Sequence, residues 1–212
     1  MRIVQLLPDL TVGDAVGNDT RAIRDLLRGA GYETEIYAER VDRRLPAGEA
    51  RAFRGMPDIR PEDLLIYHAS TGTDMSFAVP GLGGRKVMIY HNITPPRFFH
   101  WYNDRTRKNM AYGYAGVRYL ANRVDACVTC SSYSREELIR MGYECPIDVC
   151  PILIPFRDYD REPDGETLRR YRGDGKRNWL FAGRIAPNKK QEDVIRAFYC
   201  YQRDYEPESR LF

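Results

Sequence analysis

Short apolar runs alternate with stretches of helical periodicity along most of the chain. Each run is four to six residues long and rich in branched or aromatic side chains, which is typical of buried strands. The pattern predicts strands at 3–7, 34–38, 64–67, 86–91, 125–129 and 147–152. Because strands that alternate with helices form parallel sheets, we predict an α/β, Rossmann-like fold with helices on both faces.

Helical periodicity predicts three helices in the same region. The first covers 18–28, where apolar residues including Leu26 recur on one face. The second covers 106–121. The third covers 133–141 and has Glu137 three residues after a serine, which is the spacing of a capping box.

The composition changes after residue 156 to Arg, Asp, Glu, Gly and Pro with few apolar residues. We therefore predict a first, Rossmann-like domain over 1–156, a linker with one short helix over 157–177, and the opening fragment of a second domain over 178–212. That fragment has one strand, 178–182, followed by one helix. Since a lone strand has two open edges, we expect it to be disordered or to self-associate with another chain.

Composition and charge narrow the class of protein. The 212 residues are 43% apolar and 30% charged, with a formal net charge of +3. This content is typical of a globular fold and not of a disordered or membrane-spanning chain. The near balance of charge disfavours nucleic-acid binding. The amino terminus lacks the pattern of a signal peptide, so we predict a cytoplasmic protein.

The five cysteines lack the spacing of a disulfide framework, which agrees with a reducing compartment. Cys127 and Cys130 form a CxxC motif, but they fall on a predicted strand. Residues three apart on a strand point to opposite faces, so a shared metal or disulfide is disfavoured and packing roles are expected.

Three loops at carboxyl ends of strands carry candidate chemistry, because ligands of open α/β sheets bind there. The loop 8–19 lacks GxGxxG, which argues against a dinucleotide site; it is either an anion-binding helix start or a flexible turn. His91 and Asn92 leave a predicted strand toward the crevice, although a lone histidine is often structural. Arg184, with Lys189 and Lys190 after it, suits a diphosphate; the alternative is a solvated basic loop.

Taken together, these segments resemble the family-4 retaining glycosyltransferases of the GT-B fold. Such enzymes have two facing Rossmann-like domains with a nucleotide sugar between them, and the resemblance covers about the amino-terminal half of one. It is carried by these stretches: Ala15-Val16-Gly17-Asn18-Asp19, Tyr90-His91-Asn92-Ile93-Thr94-Pro95-Pro96, Ser131-Ser132, and Phe181 to Asp193 with its Gly-Arg-x-x-Pro-x-Lys pattern.

The resemblance implies a role for each matching residue. Arg184 and Lys189 would stabilise the developing diphosphate charge without a metal or other cofactor, with Lys190 as the neighbouring alternative. His91 would contact the donor sugar. The implied donor-binding residues are Ala15, Val16, Gly17, Asn92, Gly183 and Lys190.

Two departures from the family pattern affect this expectation. Asp14-Ala15 stands where many relatives have Gly-Gly, and no pair of glutamates eight apart follows Arg184. Because that pair belongs to the second domain, the chain alone is expected to bind donor weakly and to have little or no activity.

The acceptor is expected on the amino-terminal side. The segment between Arg97 and Arg123 has six basic residues against one acidic residue, interleaved with aromatics that include Trp101. Together with Arg105 and Lys108, this surface suits an anionic or lipid-linked acceptor saccharide, or an anionic membrane to which the protein binds peripherally. The alternative is an amphipathic helix whose aromatics lie in the core.

The sequence is also compatible, to a lesser degree, with three other classes of protein. A non-catalytic Rossmann-like binding or assembly module is the main alternative. An NAD(P) enzyme is disfavoured because the glycine fingerprint is missing, and a sugar-nucleotide epimerase because Tyr-x-x-x-Lys does not occur.

Overall fold

The computed structural model describes residues 1–154 and 156–212, which divide into two units. Unit 1 consists of Met1–Arg97 and Asp104–Ile154. Unit 2 consists of Phe98–Asn103 and the described residues from 156 onward.

Unit 1 is built on seven parallel strands. They are β1 (Arg2–Leu10), β2 (Glu33–Val41), β3 (Arg51–Ala52), β4 (Leu64–Ala69), β5 (Arg85–Tyr90), β6 (Ala126–Thr129) and β7 (Ile147–Val149). Their order in the sheet is β3-β2-β1-β4-β5-β6-β7. The chain reverses its direction across the sheet beside β1, and this is the topological switch point where open α/β sheets bind ligands.

Four helices connect these strands: α1 (Ala15–Gly29), α2 (Met75–Ala78), α3 (Asp104–Leu120) and α4 (Ser132–Arg140). One face of the sheet forms the main core, in which Leu6, Tyr67 and Met88 pack with Val117 of α3 and Leu138 of α4. A smaller cluster lies on the opposite face, where α1 contacts β1 and β2. Successive strand residues point to opposite faces, which is why both sides of β1 are buried.

Unit 2 contains α5 (Gly165–Tyr171), β8 (Asn178–Trp179), α6 (Gln191–Asp204) and β9 (Arg210–Leu211). Strands β8 and β9 pair in parallel. The prediction that the strand at 178–182 has no partner in the chain is therefore wrong. A two-residue strand such as β9 is too short to show a pattern in the sequence.

The sequence-based fold class is confirmed, since all six strands predicted in the first 156 residues are present. The predicted face of α1 is wrong in one respect. Leu26 is 63% exposed, whereas Asp19, Thr20 and Arg24 are buried. Among the described residues, none of the helices combines the length and apolar character needed to cross a membrane.

Candidate functional site

Three polar side chains meet on the face of the sheet that carries the smaller cluster. Gln5 lies on the central strand β1, His68 lies near the end of β4, and His91 directly follows β5. The parallel register places them on one face, because Gln5 pairs with Ile66 and His68 with Ile89. Gln5 and His68 are fully buried, and His91 is half-buried.

These side chains form a continuous hydrogen-bonded chain. The Gln5 Oε1 lies 3.0 Å from His68 Nε2. The other ring nitrogen, His68 Nδ1, lies 2.9 Å from His91 Nε2. The two imidazoles are stacked, with centroids 5.2 Å apart and an angle of 14° between their planes. We name Gln5, His68 and His91 the histidine chain.

Helix α1 adds the buried carboxylate of Asp19 to this cluster. One ligand atom from each of Asp19, His68 and His91 lies within 4.8 Å of the other two. Asp19 Oδ1 also accepts a 2.9 Å hydrogen bond from the backbone N–H of Leu153, and this bond ties the segment after β7 to α1. Asp19 therefore connects the cluster with the segment that leaves the sheet.

These residue types also bind zinc, but the distances favour hydrogen bonding. Two nitrogens on one tetrahedral zinc are about 3.3 Å apart, given metal–nitrogen bonds of about 2.0 Å. His68 Nδ1 and His91 Nε2 are 2.9 Å apart, which is an ordinary hydrogen-bond length. We therefore interpret the contact as a hydrogen bond between the rings.

Burial keeps both histidines uncharged at neutral pH. It lowers the pKa of His68 well below its ordinary value, and the neighbouring His91 lowers it further. It also lowers the pKa of His91 to about 4, although the negative charge of Asp19 opposes the shift. At pH 7 the histidine chain thus carries no net charge.

The first turn of α1 is capped by its own sequence. The carboxylate of Asp14 accepts a 2.9 Å hydrogen bond from the N–H of Gly17. A Cβ at Gly17 would lie 3.0 Å from Leu10 Cδ1, so the glycine also permits close packing of α1 on β1. Ala15 is exposed and Val16 is half-buried. Of the predicted donor-binding residues in this turn, Ala15, Val16 and Gly17, the last therefore has its backbone N–H already bonded to a carboxylate.

A second polar network holds the segment after β5. The buried Tyr90 donates a 2.6 Å hydrogen bond to Glu137 on α4, and Tyr114 on α3 donates another of 2.8 Å. The N–H of Ile93 bonds to the Tyr90 hydroxyl. Glu137 is thus not part of a capping box, and the cap of α4 is Ser131. Asn92 is exposed and has a left-handed φ of 62°, and it turns the backbone between Tyr90 and Ile93.

The predicted basic residues of unit 2 differ in their surroundings. Lys190 lies 3.8 Å from the carboxylates of Glu192 and Asp193. In the described part of the chain, Arg184 and Lys189 have no side-chain hydrogen bond or ion pair. Both are exposed on the loop that follows Gly183. These two cations are consequently available to an anion.

The predicted acceptor or membrane residues lie at the surface. Trp101 is 87% exposed, so this aromatic is not in the core. Arg97, Arg105 and Lys108 are exposed, and Lys108 forms a 2.8 Å ion pair with Asp104.

A cavity of about 590 Å³ opens elsewhere on unit 1, near the carboxyl ends of β2 and β3. Glu39 and Asp74 contribute carboxylates, and Phe53 and Arg54 complete most of its lining. Thr73 donates a hydrogen bond to Glu39, and Tyr112 donates one of 2.6 Å to Asp74. These bonds orient both carboxylates. No local pattern in the sequence predicts this cavity.

The two cysteines of the CxxC motif, Cys127 and Cys130, have different neighbours in the structure. The sulfur of Cys127 lies 3.7 Å from that of Cys145. Cys130 instead lies 3.8 Å from the hydroxyl of Ser134.

In comparisons by sequence, no family model and no curated protein matches the chain. By structure, the chain is similar to a sucrose-phosphate synthase from Thermosynechococcus elongatus, with a TM-score of 0.67 and 11% sequence identity. The match covers 100% of this chain and 61% of that chain, so this chain spans less than two thirds of that protein's length. The likeness shows the fold, a parallel α/β, Rossmann-like sheet with helices.

Proposed function

We propose that this chain is part of a GT-B glycosyltransferase that moves a sugar from a nucleotide donor to an acceptor hydroxyl with retention of configuration. The observation that carries the proposal is that Arg184 and Lys189, both exposed after Gly183, have no side-chain hydrogen bond or ion pair among the described residues. The likeness of fold along the whole chain supports it.

The proposed chemistry is electrostatic. When the sugar–phosphate bond breaks, negative charge accumulates on the leaving diphosphate. Arg184 supplies a planar guanidinium that bonds two phosphate oxygens, and Lys189 supplies a mobile point charge. Cations that are already in place need no reorganisation during the reaction, so they stabilise the transition state without a metal.

The exposed apolar side chains of unit 2 support a larger donor domain. Leu180 and Ile185 are 79% and 96% exposed, and none of the described residues of α6 is buried. A unit with two short strands and two helices buries little apolar area by itself. We propose that further strands cover these side chains in the complete enzyme, and that the isolated chain has little or no activity.

We place the acceptor on unit 1. The cavity beside Glu39 and Asp74 has the volume of a small-molecule site. Its carboxylates suit hydroxyl groups, and the ring of Phe53 suits the apolar face of a sugar. On the same unit, the exposed cations Arg97, Arg105 and Lys108 suit an anionic lipid or membrane surface.

The test is calorimetric titration of the chain with inorganic diphosphate, followed by a panel of nucleoside diphosphate sugars. We expect Arg184→Ala and Lys189→Ala each to weaken diphosphate binding about tenfold, the equivalent of about 1.4 kcal/mol for one charge-assisted contact. A matched control removes an exposed cation elsewhere in unit 2, Arg169→Ala on α5. It should bind within about twofold of wild type.

Equal losses in Arg184→Ala, Lys189→Ala and Arg169→Ala would reveal unspecific attraction of anions and would overturn the assignment. Wild-type protein that binds neither diphosphate nor any nucleotide sugar would favour the alternative, a non-catalytic Rossmann-like module.

A further inference from the structure

The histidine chain contains two buried polar atoms without a hydrogen-bond partner among the described residues. They are Gln5 Nε2 and His91 Nδ1. Buried polar atoms are nearly always bonded in folded proteins, so each exception calls for a physical explanation. For His91 Nδ1, the explanation follows from the positions of the protons along the histidine chain.

The side-chain oxygen of Gln5 determines which ring nitrogen of His68 carries the proton. An amide oxygen can only accept, so the nitrogen that faces it at 3.0 Å, His68 Nε2, carries a hydrogen. An uncharged imidazole has one N–H group, which leaves His68 Nδ1 as an acceptor. His91 Nε2 must then donate across the 2.9 Å contact, and His91 Nδ1 retains an unshared electron pair.

We propose that Gln5 and His68 are positioning residues that hold His91 as an uncharged ring with its proton on Nε2 and its Nδ1 available as an acceptor. The unshared pair of the buried His91 Nδ1 can then accept a hydrogen bond only from a hydroxyl group that reaches it, such as one on a sugar, and the ring provides no positive charge for a phosphate. The identity of that ligand rests on the proposed function, whereas the proton positions do not depend on it.

The surroundings of the pair agree with an uncharged state. His68 is fully buried on β4, and the uncharged Gln5 approaches it from β1. Asp19 on α1 is the acidic group of the cluster, and one of its oxygens is already bonded to the N–H of Leu153. Burial disfavours an imidazolium here more than this single carboxylate favours it.

The direct test is nuclear magnetic resonance of the full chain with ¹⁵N-labelled histidine at pH 7. Long-range proton–nitrogen correlations distinguish a protonated ring nitrogen from an unprotonated one. We expect His68 and His91 both to be uncharged with hydrogen on Nε2. A proton on Nδ1 of either ring would mean that the chain of hydrogen bonds runs in the opposite direction, and an imidazolium would mean that the pair is charged. Either result would overturn the proposal.

Substitution of Gln5 tests whether it acts on His91 through His68. Gln5→Met removes the oxygen that accepts the hydrogen bond from His68 Nε2. We expect the preference of His68 for the Nε2–H form, and with it that of His91, to fall about tenfold, the equivalent of one hydrogen bond. Thr34→Val is the matched control, since Thr34 is buried on the same face and its hydroxyl has no partner among the described residues. It should leave both tautomers unchanged. A folded Gln5→Met protein with wild-type tautomers would contradict the positioning role, and the wild-type spectrum decides the proton positions even if this variant does not fold.

A titration with inorganic diphosphate separates this proposal from the proposed function. We expect no change in the protonation of His91, whether or not diphosphate binds at Arg184. Protonation of His91 by added diphosphate would overturn the conclusion that the ring serves an uncharged group. Failure of diphosphate to bind would count against the proposed function alone.

Discussion

At the scale of single residues, buried polar side chains set this protein apart from an ordinary apolar core. Gln5 and His68 interrupt apolar strands, and each is bonded to another buried polar group. The charged pair of Arg24 and Glu49, at 2.9 Å, follows the same rule. A buried polar group costs stability unless it is bonded, so the loss of either partner of such a bond should destabilise the fold.

Acid should destabilise the chain through His68 and His91. Both have a lowered pKa in the folded state, so the unfolded state binds more protons below its ordinary pKa near 6.5. The contribution of these rings to stability is complete above that pH and is lost as the pH falls toward about 4 for His91. Between pH 7 and pH 5 we expect a loss of about 2 kcal/mol from His91 and a further loss from His68.

Urea unfolding at the two pH values measures this loss. His91→Gln retains a donor for His68 Nδ1 but removes one titrating ring, so its loss should be smaller by about 2 kcal/mol. An identical pH dependence in the variant and wild type would show that His91 does not titrate as described.

At the scale of elements, helix α3 docks through glycines. A Cβ at Gly113 would lie 2.9 Å from the backbone nitrogen of Gly72, and one at Gly116 would lie 2.7 Å from Ser76 Cβ. The periodicity of the sequence predicts the helix itself, but it cannot show which glycines touch a neighbour. The elements missing from the prediction, α2, β3 and β9, are two to four residues long and show no period.

Gly113→Ala should destabilise unit 1 by about 1–3 kcal/mol, the usual cost of overpacking, because backbone atoms of the loop before α2 cannot move aside easily. Gly29→Ala is the control, since this glycine also lies in a helix and its Cβ would meet nothing within 4 Å. It should be neutral or stabilising by up to about 1 kcal/mol. Chemical denaturation measures both, and equal effects would argue against the close approach.

At the scale of the whole molecule, the two units differ in what they bury. In unit 1, strand β1 is buried on both faces, and the main core contains side chains from strands across the sheet. Among the described residues of unit 2, only Ser209 is buried. The helices and strands of unit 2 contain no buried residue among those described. Local stability follows buried apolar contacts, so the units should open independently.

Hydrogen exchange tests this difference on two helices of similar length. We expect the amides of α6, which has no buried residue among those described, to exchange on the order of a hundredfold faster than those of α3. Equal protection of α3 and α6 would indicate that unit 2 has stability that its exposed surface does not explain.

The sequence by itself determined the class of fold and the order of strands and helices, because the alternation of apolar and polar residues is a local property of the chain. It also predicted that His91 directly follows a strand, because an apolar run ends at Tyr90. The roles of His91 and Arg184 stay predictions. Only the tertiary structure decided that Gln5, His68 and Asp19 meet His91, and that Glu137 bonds to two tyrosines in place of capping its helix. These contacts join residues 23 to 72 positions apart, and their bonding depends on register, burial and distance, which no local pattern encodes.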